Sequence, residues 1–199
     1  PLAAEFRVNT TTQSDQLVPS VGVEDGGDFV VTWSGYDSEL NGAFAQRYDG
    51  SGAPRGGEFR VNTYTTGRQQ EPWVGSDAAG NFVVVWDSLP QDYNSHGVFG
   101  QGYDAAGVAR GAEFRANTYT TEGQYQPRVA SGPDGRFVVV WVSGGQDGSG
   151  RGVFGQAFSA AGAPIGAEFQ ANSYTTAYQA EPALAVAGNG GFGRVVRSY

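Results

Sequence analysis

The sequence predicts an all-β protein of four-stranded antiparallel repeats, each about 55 residues long, arranged like the blades of a β-propeller as three full blades and a partial terminal one. Three observations predict it. Glu-Phe-x-x-Asn recurs at Glu5 to Asn9, Glu58 to Asn62, Glu113 to Asn117 and Glu168 to Asn172, at spacings of 53, 55 and 55 residues. Each apolar stretch is five to eight residues long, rich in Val, Phe, Tyr and Trp, and fenced by Gly, Asp, Asn or Pro. No window shows a helical period. A unit this small cannot bury its own apolar face, so neighbouring units must stack to make a core.

The elements follow in order from aligning the chain on itself. Seven residues after each Asn stands Gln16, Gln69, Gln124 or Gln179, and three further on stands Pro19, Pro72, Pro127 or Pro182. The first strand of each repeat is read after that Pro. The second is the Phe-x-x-x-Trp run at Phe29 to Trp33, Phe82 to Trp86 and Phe137 to Trp141, which the fourth copy breaks. Its successive apolar positions require cover on both faces, as when blades pack face to face. The third strand is Gly-x-Phe-x-Gln-x-aromatic, at Gly42 to Tyr48, Gly97 to Tyr103 and Gly152 to Phe158, and the fourth is Glu-Phe-Arg-x-Asn or its variant. Asp77-Ala-Ala-Gly80 and Asp104-Ala-Ala-Gly107 read as hairpin turns between neighbours. The boundaries are residues 1–18 for a terminal strand of a partial blade, 19–71, 72–126 and 127–181 for three repeats, and 182–199 for a degenerate partial repeat.

Composition narrows the function classes. The chain has 12 arginines and no lysine, no Cys, no Met, 32 Gly and a net charge of −8. A disulfide framework and thiol chemistry are excluded. Dispersed arginines in an acidic chain form no basic stripe, which argues against nucleic acid and anionic membranes. No apolar run approaches a membrane span. A chain that opens at Pro1 in mid-repeat reads as a piece of something longer.

The string Glu-Phe-Arg-Val-Asn-Thr-Tyr-Thr-Thr, the Asp-Gly-x-Phe-Val-Val-Val-Trp strand and Gly-Gln-Asp-Gly-Ser-Gly-x-Gly-Val-Phe-Gly-Gln resemble repeat modules of very large secreted bacterial proteins, which often lie beside calcium-binding and adhesin-like domains. The resemblance covers all but the degenerate end. It implies an extracellular or cell-surface role in structure or adhesion and carries no catalytic activity with it. The architecture is also similar to bacterial propeller lectins, at the level of fold alone.

The loop between the second and third strands is a candidate calcium site. Asp37, Asp92 and Asp147 precede the repeat glycine by five residues, and Glu39, Asn94 and Ser149 follow two residues later, with Asn41 a third oxygen in the first loop. Oxygens at alternating positions of a Gly-rich loop suit a hard cation. Asp and Asn also make turns by bonding their own backbone, and that reading is favoured. Among the tryptophans, Trp33, Trp86 and Trp141 recur on a buried strand and read as packing. Trp73 stands where Ser20, Arg128 and Ala183 stand, a position that tolerates exposure. It is the candidate platform for a sugar ring, with Tyr64, Tyr119 and Tyr174 on the connecting loops beside it. Gln46, Gln101 and Gln156 read as structural bonds to a neighbouring strand, and the Asn and Gln of the connections as loop organisers.

Catalytic chemistry is hard to find. His96 replaces Asn41 and Arg151 at one repeat position and reads as a variable loop residue. Asp15, Glu71 and Glu181 are carboxylates of the kind that glycoside hydrolysis pairs, and nothing in the sequence places two of them together. The expectation is therefore an extracellular, non-enzymatic module for adhesion or glycan binding, whose partners are surface glycans, itself or the remainder of a longer parent chain. The alternative is a self-assembling structural subunit. Counting strands at the ends leaves a four-bladed ring with a gap, and exposed edges pair with other chains.

Overall fold

The computed structural model describes residues 5–36, 40–92, 95–187 and 191–198, with side-chain surroundings as far as residue 193. The described residues are all-β. Blade 1 consists of β1 (Gln16–Val23), β2 (Phe29–Tyr36), β3 (Asn41–Tyr48) and the short β4 (Phe59–Arg60). Blade 2 is β5 (Arg68–Ser76), β6 (Phe82–Asp92), β7 (Ser95–Tyr103) and β8 (Ala109–Arg115). Blade 3 is β9 (Gln124–Ser131), β10 (Phe137–Gly144), β11 (Arg151–Phe158) and β12 (Pro164–Gln170). The partial fourth blade is the pair β13 (Gln179–Val186) and β14 (Phe192–Ser198).

Within each full blade the strands are antiparallel neighbours in chain order. Parallel pairings of Asn41 with Arg68 and of Arg151 with Tyr178 link blade 1 to blade 2 and blade 3 to the partial blade. The inner strands β1, β5, β9 and β13 lie side by side. Close approach there depends on small residues: a Cβ added at Gly22 would lie 2.6 Å from Ser76 Oγ, and one at Gly75 would lie 3.0 Å from Ser131 Oγ. The corresponding residues further along are Ala130 and Ala185.

Three interblade cores alternate with the blades. Val30, Ala43, Ala45 and Val61 of blade 1 meet Val74, Phe82, Val84, Trp86, Phe99 and Tyr103 of blade 2. Val83, Val85 and Val98 on the other face of blade 2 meet Val129, Phe137, Val139 and Trp141 of blade 3. Val138, Val140, Val142 and Val153 then meet Ala180 and Leu184 of the partial blade. The strand of residues 82–86 thus buries both faces, with Trp86 fully enclosed. The expected hairpin turns are present: Gly80 N donates to Asp77 O and Gly107 N to Asp104 O, with both glycines at positive φ.

The connections between blades explain the repeated polar residues. Asn117 Oδ1 accepts from Val98 N, while its Nδ2 donates to Tyr119 O, Gln124 Oε1 and Asp92 Oδ2. Asn62 and Asn172 make the same bonds to their own Gln, carbonyl and strand N–H. Glu58, Glu113 and Glu168 accept from the backbone and hydroxyl of Thr10, Thr63 and Thr118. Each outer strand is in this way latched to the preceding connection. Gln46, Gln101 and Gln156 donate across to the outer segment, at Gly56 O, Gly111 O and Gly166 O.

Two expectations are corrected. The inner strand begins at the Gln or just before it, ahead of the Pro, because the Pro sits in a bulge that interrupts the ladder without ending the strand. Residues 5–9, expected as a terminal strand, have no ladder partner; Phe6 instead packs on Tyr48 at 5.4 Å, as Phe59 packs on Tyr103 at 5.5 Å. The segment therefore occupies, beside blade 1, the place that an outer strand of a preceding blade would take. The face of β1 beyond it is uncovered: Val21 is 58% exposed, where the corresponding Val74 and Val129 are each 3% exposed. The Arg194 side chain, expected at a position buried elsewhere, lies outside the described set.

Candidate functional site

The inner strands carry an unusual device at one rim, where they begin and where the second strand of each blade ends. Val18, Glu71, Gln126 and Glu181, each immediately before the Pro, have φ of 52°, 52°, 53° and 52°. Left-handed backbone is uncommon outside glycine, and more so before proline. The register slips at the same four places. A bulge of this kind re-aims a side chain out of the ladder, and strained backbone of this kind clusters at functional sites. Blade 2 places Glu71 there, with its backbone N donating to Ser34 Oγ of blade 1 at 3.0 Å.

Around Glu71 the structure gathers charged groups from three strands. Asp87 lies opposite Gln70 on β6 and is 1% exposed. Its Oδ2 is 2.6 Å from His96 Nδ1 at the start of β7 and accepts from Gln70 Nε2 at 3.4 Å, while its buried Oδ1 has no partner among the described residues. Arg128, from β9, lies with its guanidinium carbon 4.2 Å from the Trp73 ring centroid and donates to Pro127 O. Burial pushes the Glu71 carboxyl above the usual carboxylate range, the Asp87 charge pushes it further, and Arg128 and His96 act against both. Burial likewise raises Asp87, opposed by its hydrogen bond to His96 and by that residue's charge. Two carboxyl groups thus have their proton affinity raised above the ordinary range, one of them at the bulge where an inner strand begins.

The cluster joins two further features of the rim. His96 meets the Tyr125 ring at 4.8 Å, and a shallow groove of about 410 Å³ runs beside it, lined by Leu40, Gly67, Arg68, Leu89 and Pro90. At the opposite rim a smaller cleft of about 100 Å³ lies between blades 2 and 3, with Asp77 as the acid in its lining. It has no second carboxyl beside Asp77 among the described residues that line it.

The other expected site residues fall as follows. Trp73 is half-buried under Arg128 beside Glu71, so the expected platform lies at this centre with one face already occupied. Tyr64 and Tyr119 are half-buried and Tyr174 is exposed on the connections of the same rim. Asp37, Glu39 and Asn94 lie outside the described residues. Asn41 opens β3 opposite Tyr36. Asp92 is buried and accepts from Arg115 Nη1 at 3.0 Å and Asn117 Nδ2 at 3.1 Å. Asp147 accepts from Ser149 N at 3.1 Å and Gln170 Nε2 at 3.4 Å. Both tie their loop to the outer strand of the blade. Among the described residues no group of three acidic, His or Cys side chains is arranged to hold a metal ion.

Sequence reasoning missed Asp87 and discounted His96. The signal was present: Ser34, Asp87 and Val142 share one place after the Trp, and an acid at a position that strand alternation buries is a departure with a cost. His96 is no bystander of a variable loop, since its Nδ1 lies 2.6 Å from Asp87 Oδ2, the shortest side-chain contact of that buried carboxyl among the described residues.

No family model matches the chain, and no curated protein matches it in sequence. Solved structures do resemble it. The endo-arabinase of Bacteroides thetaiotaomicron superposes with a TM-score of 0.58 at 14% identity, over 97% of this chain and 74% of the enzyme. The endo-1,4-beta-xylanase of the same organism superposes with a TM-score of 0.50 at 10% identity, over 82% of this chain and 63% of the enzyme. The fold is a β-propeller like theirs. The propeller expected from the repeats is thereby shown. The expectation of a non-enzymatic adhesion or glycan-binding module, with a self-assembling subunit as its alternative, is corrected: the architecture is shared with an endo-arabinase and an endo-1,4-beta-xylanase. No helix among the described residues is long and apolar enough to cross a membrane.

Proposed function

We propose that this protein hydrolyses glycosidic bonds of a polysaccharide, with Glu71 as the proton donor. The observation that carries the reading is the placement of Glu71, turned out of the innermost strand by a bulge while burial and the Asp87 charge raise its affinity for a proton. Glycoside hydrolysis needs one carboxyl group that is protonated when it meets the leaving oxygen, and a second that is charged. Asp87 is too enclosed to touch substrate and acts on Glu71 as a positioning residue, itself held by His96 and Gln70.

Trp73 and the rim tyrosines Tyr64, Tyr119 and Tyr174 offer aromatic surface for sugar rings around this centre. A polysaccharide substrate fits an extracellular protein, in keeping with the resemblance to secreted repeat modules. The test is release of reducing ends from arabinan, xylan and pectic polysaccharides. Wild type is expected to act on at least one of them, and Glu71→Gln to lower the rate by about 10²–10⁴-fold without any loss of melting temperature. Absence of release from all of them by folded wild type would overturn the reading.

A further inference from the structure

From the carboxyl centre an aromatic track leads along the rim toward the partial blade. His96 touches Tyr125, and Arg151, which opens β11, lies with its guanidinium carbon 5.3 Å from the Tyr125 ring centroid and 5.9 Å from that of Tyr178. The backbone of Arg151 pairs with Tyr178, so strand pairing as well as ring contact fixes the place of this cation. Arg151 and Tyr178 are exposed.

The chain has 20 acidic residues, yet the Arg151 side chain makes no hydrogen bond or ion pair among the described residues. Arg55, Arg115 and Arg136 each reach an aspartate. A guanidinium held between two rings keeps its edge donors available and has given up part of its side-chain freedom in advance. The planar fork of donors matches a carboxylate. Long-range repulsion from a net charge of −8 does not decide the matter, because charges further than about 8 Å away are screened at physiological salt. Locally the track holds His96, which is paired with Asp87, and Arg151, whose register partner Gly144 lies against the Glu122 carboxylate without a hydrogen bond or ion pair to the guanidinium.

We infer that Arg151, between Tyr125 and Tyr178, is a subsite for the carboxylate of a uronic acid, so that the glycan bound at this rim is acidic. The rings take the apolar face of the sugar and the guanidinium takes its carboxylate. The inference rests on the glycan-hydrolase reading for the site it extends. Its binding can be measured without turnover.

The experiment uses Glu71→Gln protein, which removes hydrolysis, and measures binding of trigalacturonate and of a glucuronate-substituted xylotetraose, each beside its carboxyl-reduced counterpart. A sulfated galacto-oligosaccharide of the same length serves as a further arm. Binding at least about tenfold tighter to an acid form than to its reduced form is expected, the effect of one charge-assisted contact. Arg151→Gln in the same background is expected to abolish that preference at an unchanged melting temperature, and Arg151→Lys to restore part of it. Equal affinity for acid and reduced forms, no binding of either pair at millimolar concentration, a preference that survives Arg151→Gln, or stronger binding of the sulfated sugar overturns the uronate subsite. If the acid preference holds and wild type still releases no reducing ends, the hydrolase reading fails while the subsite stands. Turnover of neutral glycans without an acid preference gives the converse.

Discussion

His96 Nδ1 lies 2.6 Å from Oδ2 of Asp87, an aspartate that is 1% exposed on a strand otherwise devoted to interblade packing. Burial raises Asp87 and His96 pulls it back. The native state thus keeps a proton on Asp87 to higher pH than the unfolded chain does, so its ionisation costs stability as pH rises from about 4. Removing the histidine enlarges that cost. We expect His96→Ala to lower stability at pH 7 by about 1.5–3 kcal/mol, the range for a hydrogen bond to a charged group, and by much less at pH 4. Thermal melts at the two pH values decide it; an equal loss at both would show that His96 acts by packing alone.

Glu71 invites the opposite outcome for stability. Its carboxyl is raised by burial and by Asp87, so the folded state resists its ionisation and loses stability as pH climbs through its raised value. Glu71→Gln removes a charge the fold tolerates poorly. The variant is expected to melt higher than wild type at pH 7, with the difference vanishing at pH 4, while its rate on polysaccharide falls. A lower melting temperature at pH 7 would contradict the assignment of Glu71 as a strained, poised acid.

Asn117 bonds at once to Val98 N, Tyr119 O, Asp92 Oδ2 and Gln124 Oε1. Each buried group left without a partner costs about 1–3 kcal/mol. Asn117→Ala is therefore expected to cost more than about 3 kcal/mol in urea unfolding. It should match or exceed Trp86→Ala, for which a fully buried large aromatic predicts about 3–5 kcal/mol. A loss below about 1 kcal/mol for either variant would refute its place in the interblade core or connection.

Val21 and Val74 share one repeat position at 58% and 3% exposure. Val74→Asp buries an unpaired charge and should unfold the protein or come close to it. Val21→Asp should stay within about 0.5 kcal/mol, as exposed substitutions usually do. Comparable losses at both positions, with a larger particle by light scattering that the variant dissociates, would show that the face of blade 1 is covered in solution.

Much of the fold could be read from the chain because its signals are local and repeated. The Phe-x-x-x-Trp runs became β2, β6 and β10, the Gly-x-Phe-x-Gln runs fell in β3, β7 and β11, and the Asp-Ala-Ala-Gly turns are where the spacing put them. The inner strands were misjudged at their start, since Pro72 and its counterparts signal either a boundary or a bulge, and only the ladder on both sides distinguishes them. The site was harder for a physical reason. Asp87 departs from the pattern in a single copy, and its meaning depends on His96 nine residues away and on Glu71 and Arg128, which blade stacking brings near. Alignment of repeats finds what is shared, whereas this chemistry sits at what one blade does differently.

Leaving-group dependence tests the central claim most directly. Wild type and Glu71→Gln are compared on a polysaccharide and on a dinitrophenyl glycoside of the same sugar, whose leaving group departs without a proton. The account predicts that Glu71→Gln loses about 10²–10⁴-fold on the polysaccharide and keeps most of its rate on the activated glycoside. Equal rates for the two proteins on the polysaccharide, or no hydrolysis of either substrate by wild type, would contradict it.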